Sequence, residues 1–227
     1  MRRCRSVHID FCSPFEHLTF HANSTGFQEK FDMTREPRVV VTGHTEDGTA
    51  TIISDAAPRT YPNPKFLTTF YEVWNEKRVP VTVARQMHDS ETDLTHPPPR
   101  GGVRIRMHDF EPAGDKISKF TYEEIVEHFR EVGSEDAVPS RENWKQAFMH
   151  RTESIDFGIM IEGELTLIME DSERTLYPGD VVVQVGTNHG WENRGETTSR
   201  IAFVLLDGDY DDELRGLLGT KPKPPVA

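Results

Sequence analysis

The chain has 227 residues and a formal net charge of -12, with 38 Asp and Glu against 26 Lys and Arg. That length suits one domain with extensions, and an acidic surface repels phosphate backbones, which argues against a nucleic-acid partner. No apolar run approaches the ~18 residues of a membrane span, so no membrane partner is expected.

Residues 1–32 carry His8, His17 and His21 at no clean period and read as a poorly ordered N-terminal arm. The arm holds both cysteines, Cys4 and Cys12, without a CxxC spacing. That usage points to a reducing compartment and a cytoplasmic location. Its arginines precede no apolar stretch, so no secretory signal is expected, and Met33 is a candidate alternative start.

Residues 33–102 read as an extension of strands and loops. Arg38 to Thr42 and Thr49 to Ser54 are β-branched runs around the turn Thr45-Glu46-Asp47-Gly48, which predicts a hairpin. An exposed hairpin edge favours pairing with a second chain, so a homodimer is expected. Residues 56–66 read as irregular, Leu67 to Trp74 and Val79 to Ala84 as strands. Residues 85–102 read as a loop, because three consecutive prolines forbid helix and ladder.

Residues 103–206 carry the densest β pattern. Val103 to Met107 alternates with period two. Phe120 to Val132 is the convincing helix: Phe120, Ile125, Phe129 and Val132 share a stripe, Thr121 and Glu124 form a capping box, and Gly133 stops it. His128 on that helix reads as a surface or half-buried side chain. Short strands follow at Trp144–His150, Phe157–Ile161, Leu165–Met169, Thr175–Tyr177, Val181–Val185, His189–Asn193 and Arg200–Leu206. This spacing predicts a sandwich or closed barrel. Residues 207–227 read as a short helix, Tyr210 to Leu218, and a proline-rich flexible tail.

The stretch Met149 to Asn193 resembles the paired motifs of the cupin superfamily, small jelly-roll β-barrels. His150 sits at the first histidine of motif one. Thr152 stands where a second histidine is usual, Asp156 where a glutamate is usual, and Gly163 closes the motif. In motif two, Gly179, Gly186, His189 and Asn193 match, with the usual proline missing and the strand one residue short. The resemblance covers about residues 100–206. It implies a mainly β fold: a cupin jelly-roll β-barrel with an N-terminal β-hairpin extension and one or two short helices. The variant form is similar to small cupins of bacterial and fungal metabolism.

Period-two geometry puts His150, Thr152 and, across a turn, Asp156 on one face, which in a cupin is the interior. His189, Trp191 and Asn193 alternate likewise. His150, Asp156 and His189 are therefore the candidate catalytic residues and the candidate ligands of a divalent metal: iron, manganese, nickel or zinc. Two alternatives stand beside that set. One is a metal-free site in which a histidine acts as general base and Asp156 orients it. The other is a pair of hydrogen-bonded interior histidines. Thr152, Met160, Gln184, Trp191 and Phe203 are the expected pocket residues, and a small organic molecule is the expected ligand. No glycine-rich phosphate cradle is present, which argues against a nucleotide cofactor. The expected function is a cupin-type enzyme acting on a carbonyl- or carboxylate-bearing metabolite, by dehydration, decarboxylation, isomerisation or cyclisation, in the manner of secondary metabolism. A metal-dependent dioxygenase or a non-catalytic ligand-binding cupin is the alternative.

Overall fold

A computed structural model describes residues 36–224. The N-terminal arm at 1–32, with its cysteines and histidines, and Met33 lie outside the described residues. The elements in chain order are β1 (Val39–His44), β2 (Ala50–Ala56), β3 (Arg59–Asn63), β4 (Thr68–Glu76), β5 (Val103–Phe110) and α1 (Tyr122–Glu131). There follow β6 (Ser154–Glu162), β7 (Leu165–Ile168), β8 (Glu173–Leu176), β9 (Val181–Val185), β10 (Gly190–Glu192), β11 (Ser199–Asp207) and α2 (Asp212–Leu218).

The strands form a jelly roll. A six-stranded sheet runs β3-β4-β5-β11-β6-β9, and a three-stranded sheet runs β10-β7-β8. Every pairing is antiparallel. The hairpin β1–β2 stands as its own two-stranded sheet. The turn Glu162-Gly163 joins β6 to β7 with Gly163 at φ 71°, a left-handed position where a Cβ would meet the Ser199 backbone at 2.9 Å.

Helix α1 begins as its sequence dictates. Thr121 Oγ1 accepts from Glu124 N at 3.3 Å, and the Glu124 carboxylate accepts from Thr121 N at 3.0 Å. Ile125, His128 and Phe129 fall at helical spacing on the buried face. Ile125 and Phe129 pack with Phe66, Ala113, Ile117, Ala137 and Ala147 into one core, and His128 lies against the Phe66 ring. A second core lies between the sheets, built from Met160, Leu165, Leu176, Trp191, Ile201, Phe203 and Leu205.

Four local expectations are corrected. Residues 56–66 are not irregular, because β3 pairs along β4 from Arg59↔Glu72 to Asn63↔Thr68. Val79–Ala84 lies outside any strand. Trp144–His150 is not a strand either: Phe148 takes φ 64°, which breaks the extended period, and only His150 makes a bridge, to His189. The described part of the tail is pinned rather than free, because Lys223 Nζ donates to Glu153 O (2.6 Å), Asp207 Oδ1 (2.6 Å) and Gly208 O (2.7 Å).

The alternation of three strands of the six-stranded sheet is turned inside out. On β6, Ser154, Asp156, Gly158 and Met160 are buried, while Ile155, Phe157, Ile159 and Ile161 are exposed. On β9, Gln184 is buried and Val181, Val183 and Val185 are exposed. On β5, Arg104, Arg106 and His108 are buried between more open Val103, Ile105 and Met107. The polar residues face the barrel interior. Among the described residues no helix is long and apolar enough to cross a membrane.

Candidate functional site

The interior encloses a cavity of about 80 Å³. Its wall combines strand side chains with residues from outside the barrel strands. Strands β4, β5, β6, β10 and β11 supply Thr68, Phe70, Arg106, His108, Phe110, Asp156, Trp191, Phe203 and Leu205. Helix α1 supplies His128 and Phe129, and the loop before β5 supplies His96.

His150 and His189 face each other across the cavity floor. Their backbones exchange two hydrogen bonds, His150 N to His189 O at 2.8 Å and His189 N to His150 O at 3.0 Å. Their rings stand 4.3 Å apart. Each Nδ1 lies against a carbonyl: His150 Nδ1 at 2.8 Å from Phe148 O, His189 Nδ1 at 2.9 Å from Thr187 O. A carbonyl only accepts, so each neutral ring carries its proton on Nδ1 and keeps its lone pair on Nε2. Burial pushes the His150 pKa down to about 4, and burial with the neighbouring His150 pushes His189 well below its ordinary value. Both rings are neutral bases at physiological pH.

Asp156 enters the same cavity from β6. It is 6% exposed, and its Oδ1 has no hydrogen-bond partner among the described residues. Burial raises its pKa to about 6, opposed by a bond from Ser154 and by the Arg106 charge. Thr152 lines the cavity as expected, and its Oγ1 lies 2.8 Å from Ser154 Oγ. Trp191 and Phe203 also line it, with ring centroids 5.5 Å apart. Met160 and Gln184 do not reach it. Met160 packs in the core between the sheets, and Gln184 is buried on β9, paired in register with Asp156.

Sequence reading missed much of the wall. His96 stacks on Phe129, with centroids 4.4 Å apart and planes 17° off parallel, and lies 5.1 Å from the His150 ring. Its loop is nailed down by the fully buried Arg104. That guanidinium donates to Thr92 Oγ1 (2.5 Å), Asp93 O (2.9 Å), Thr95 Oγ1 (2.9 Å) and Pro97 O (3.0 Å). His128, expected near the surface, is buried and lines the cavity. The alternating Arg104 and Arg106 on a strand were the one available signal, because two charges at period two share a face.

His150, Asp156 and His189 thus share one cavity. No group of three or more His, Cys, Asp or Glu side chains among the described residues is placed to hold a metal ion. The three residues therefore do not make a ready coordination sphere in this geometry. The arrangement supports proton chemistry directly: two neutral imidazoles beside a carboxyl group that titrates near pH 6.

Two antiparallel sheets that wrap a histidine- and carboxylate-lined cavity define a jelly-roll protein with an interior site. No family model matches the chain. A protein of the phomopsin biosynthesis cluster in Diaporthe leptostromiformis is 46% identical over 76 residues, 31% of this chain and 40% of that protein. A cupin-domain-containing oxidoreductase of Aspergillus ruber is 37% identical over 83 residues, 33% of this chain and 41% of that protein. The chain thus spans less than half the length of the curated relatives it matches. Among solved structures, the Cnp3 cupin domain of Schizosaccharomyces pombe covers 84% of this chain and 100% of that domain, at 8% identity and a TM-score of 0.39. Over the matched stretch the chain is similar to cupin-domain-containing proteins.

Proposed function

We propose that this protein is a cupin-type enzyme that moves protons on a small carbonyl- or carboxylate-bearing metabolite, within a biosynthetic pathway of secondary metabolism. The observation that carries this reading is the His150–His189 pair, with both Nδ1 atoms committed to backbone carbonyls inside the cavity that Asp156 enters. A fixed tautomer leaves each Nε2 lone pair turned to accept a hydrogen bond or proton, and Asp156, its pKa raised to about 6, is placed to take a proton and return it. Dehydration, isomerisation and cyclisation at an acidic C–H use both transfers, and decarboxylation uses the return of a proton to the carbanion. The aromatic wall excludes water and gives a flat ring a surface to pack on. The cluster names of the relatives supply the metabolic setting.

The test is deuterium incorporation next to the carbonyl of an aryl ketone in D2O, followed by NMR on chelator-treated protein. Exchange by the native protein, lost in His150→Gln and His189→Gln, supports the reading. No exchange by native protein, or undiminished exchange in both variants, overturns it.

The printed names of several relatives as oxidoreductases favour a second reading, a metal-dependent dioxygenase. That reading requires a third donor to join the two histidines. Metal analysis of the purified protein separates the two: one equivalent of iron lost in His189→Ala supports the second.

We also propose a homodimer. The outer face of β6 and β9 exposes Ile155, Phe157, Ile159, Ile161, Val181, Val183 and Val185, a contiguous apolar surface at the edge of the sheet.

A further inference from the structure

The cavity wall holds a charge that the proton-transfer reading leaves unused. Arg106 is 3% exposed and lines the cavity from β5. Its Nη2 meets Glu72 Oε1 at 2.5 Å and donates to Thr95 O at 2.8 Å, but its Nε has no hydrogen-bond partner among the described residues. Glu72 is shared, because its Oε2 also lies 3.3 Å from Arg104 Nε. Two buried guanidiniums therefore divide one carboxylate. Arg104 spends its other N–H groups on the oxygens of the 92–97 loop. Arg106, which lines the cavity, leaves its buried Nε–H without an acceptor among the described residues.

A buried cationic N–H without an acceptor is costly, and an acceptor oxygen from a ligand removes that cost. The other carboxyl group on the wall does not supply one: Asp156 Oδ1 is itself without a hydrogen-bond partner. Around the guanidinium the wall is aromatic. The Phe70 ring lies 5.6 Å from Arg106 Cζ, and His108 joins Phe70 to Phe203 by edge contacts at 4.2 and 5.2 Å. An acidic oxygen beside a flat ring matches both features.

We propose that Arg106 is the ligand anchor of this cavity, its Nε–H donating to the carboxylate oxygen of a small aromatic acid whose ring packs against Phe70 and Phe203. The proposal takes its location from the reading above but needs no turnover. The probe is benzoate, titrated by calorimetry into the chelator-treated full chain. One site per chain is expected. Arg106→Lys keeps a cation beside Glu72 but loses the Nε donor, and weakens binding by about tenfold or more. Asp156→Asn removes a nearby negative charge and tightens it.

Absence of saturable benzoate binding by the native protein overturns the proposal. So does undiminished affinity in a folded Arg106→Lys protein. Should Arg106→Lys fail to fold, Asp156→Asn decides, and unchanged or weaker binding there overturns the anchor. The two readings fail separately. Arg106-dependent binding without deuterium exchange removes the proton-transfer reading and leaves the anchor. Exchange by a protein that does not bind benzoate does the reverse.

Discussion

The Tyr210 hydroxyl donates to the Gly186 carbonyl at 2.6 Å and also lies 3.4 Å from Thr152 O. One phenol from the C-terminal segment thus ties together the two chain segments that carry His150 and His189. Gly186 takes φ 62°, and a Cβ there would meet the Tyr210 ring at 2.5 Å. The glycine of motif two is therefore required twice, by the backbone and by the ring above it. Tyr210→Phe is expected to cost about 1 kcal/mol, the net worth of a hydrogen bond. Gly186→Ala is expected to cost about 2 kcal/mol or more, from strain and overpacking. Urea unfolding curves check both, and equal midpoints for Gly186→Ala and native protein would contradict this account.

Arg104 holds the loop that delivers His96 to the cavity. It is 1% exposed and pairs with Glu72 while donating to Asn75 Oδ1 at 2.8 Å. Arg104→Ala leaves Glu72 to Arg106 alone and strips Asn75 and the loop oxygens of their donor, which costs about 3 kcal/mol. Proteolysis should then cut first within residues 92–97. A variant as stable and as resistant as native protein would show that the loop is held by other means.

Acid should unfold this protein through its histidines. His128 and His150 are pushed down to about 4, and His96, His108 and His189 well below their ordinary value, in every case first by burial. A depressed folded pKa gives stability that is present above the unfolded value of about 6.5 and lost as pH falls toward the folded one. Each such imidazole contributes a slope of about 1.4 kcal/mol per pH unit in that window. Unfolding midpoints measured from pH 7.5 to 4 should fall steeply below about 6.5. A flat profile would mean that the rings are solvated.

Asp156 acts with the opposite sign. Its folded pKa of about 6 lies above the ordinary carboxyl value, so its contribution is present at low pH and lost as pH rises through 6. Asp156→Asn should therefore stabilise the fold by about 2–3 kcal/mol at pH 7.5 and by little near pH 4. A variant less stable than native protein at pH 7.5 would show that the carboxylate is satisfied in the fold.

The apolar outer face of β6 and β9 makes a claim about assembly. Val183 is 57% exposed at its centre. Val183→Glu should give a folded monomer by light scattering where native protein gives a dimer. A native monomer at micromolar concentration would remove the dimer.

Much of the architecture was legible in the chain. The capping box at Thr121, the turn at Gly163 and the second motif from Gly179 to Asn193 are local devices, and each sits where its chemistry requires. Asn193 shows why: its Nδ2 donates to Phe110 O at 2.7 Å and Thr197 O at 2.8 Å, closing the turn that follows β10. Residues that act alone on their neighbours are readable alone. The extended run assigned to Trp144–His150 failed because a single left-handed residue, Phe148, is set by packing against Phe66 and Phe120.

By itself the sequence determined most of the barrel strands and the helix with its cap, and the resemblance to a cupin pointed His150, Asp156 and His189 to one interior. It did not determine which face of an alternating strand points inward. Period two divides side chains between two faces, but only the neighbouring strands decide which face is enclosed. That decision put Arg104, Arg106 and His108 inside and the isoleucines of β6 outside, against the ordinary preference of apolar residues for burial. It is affordable because the inward charges meet one another, the loop oxygens and an aromatic wall, partners that lie far apart in the chain and are brought together by the fold.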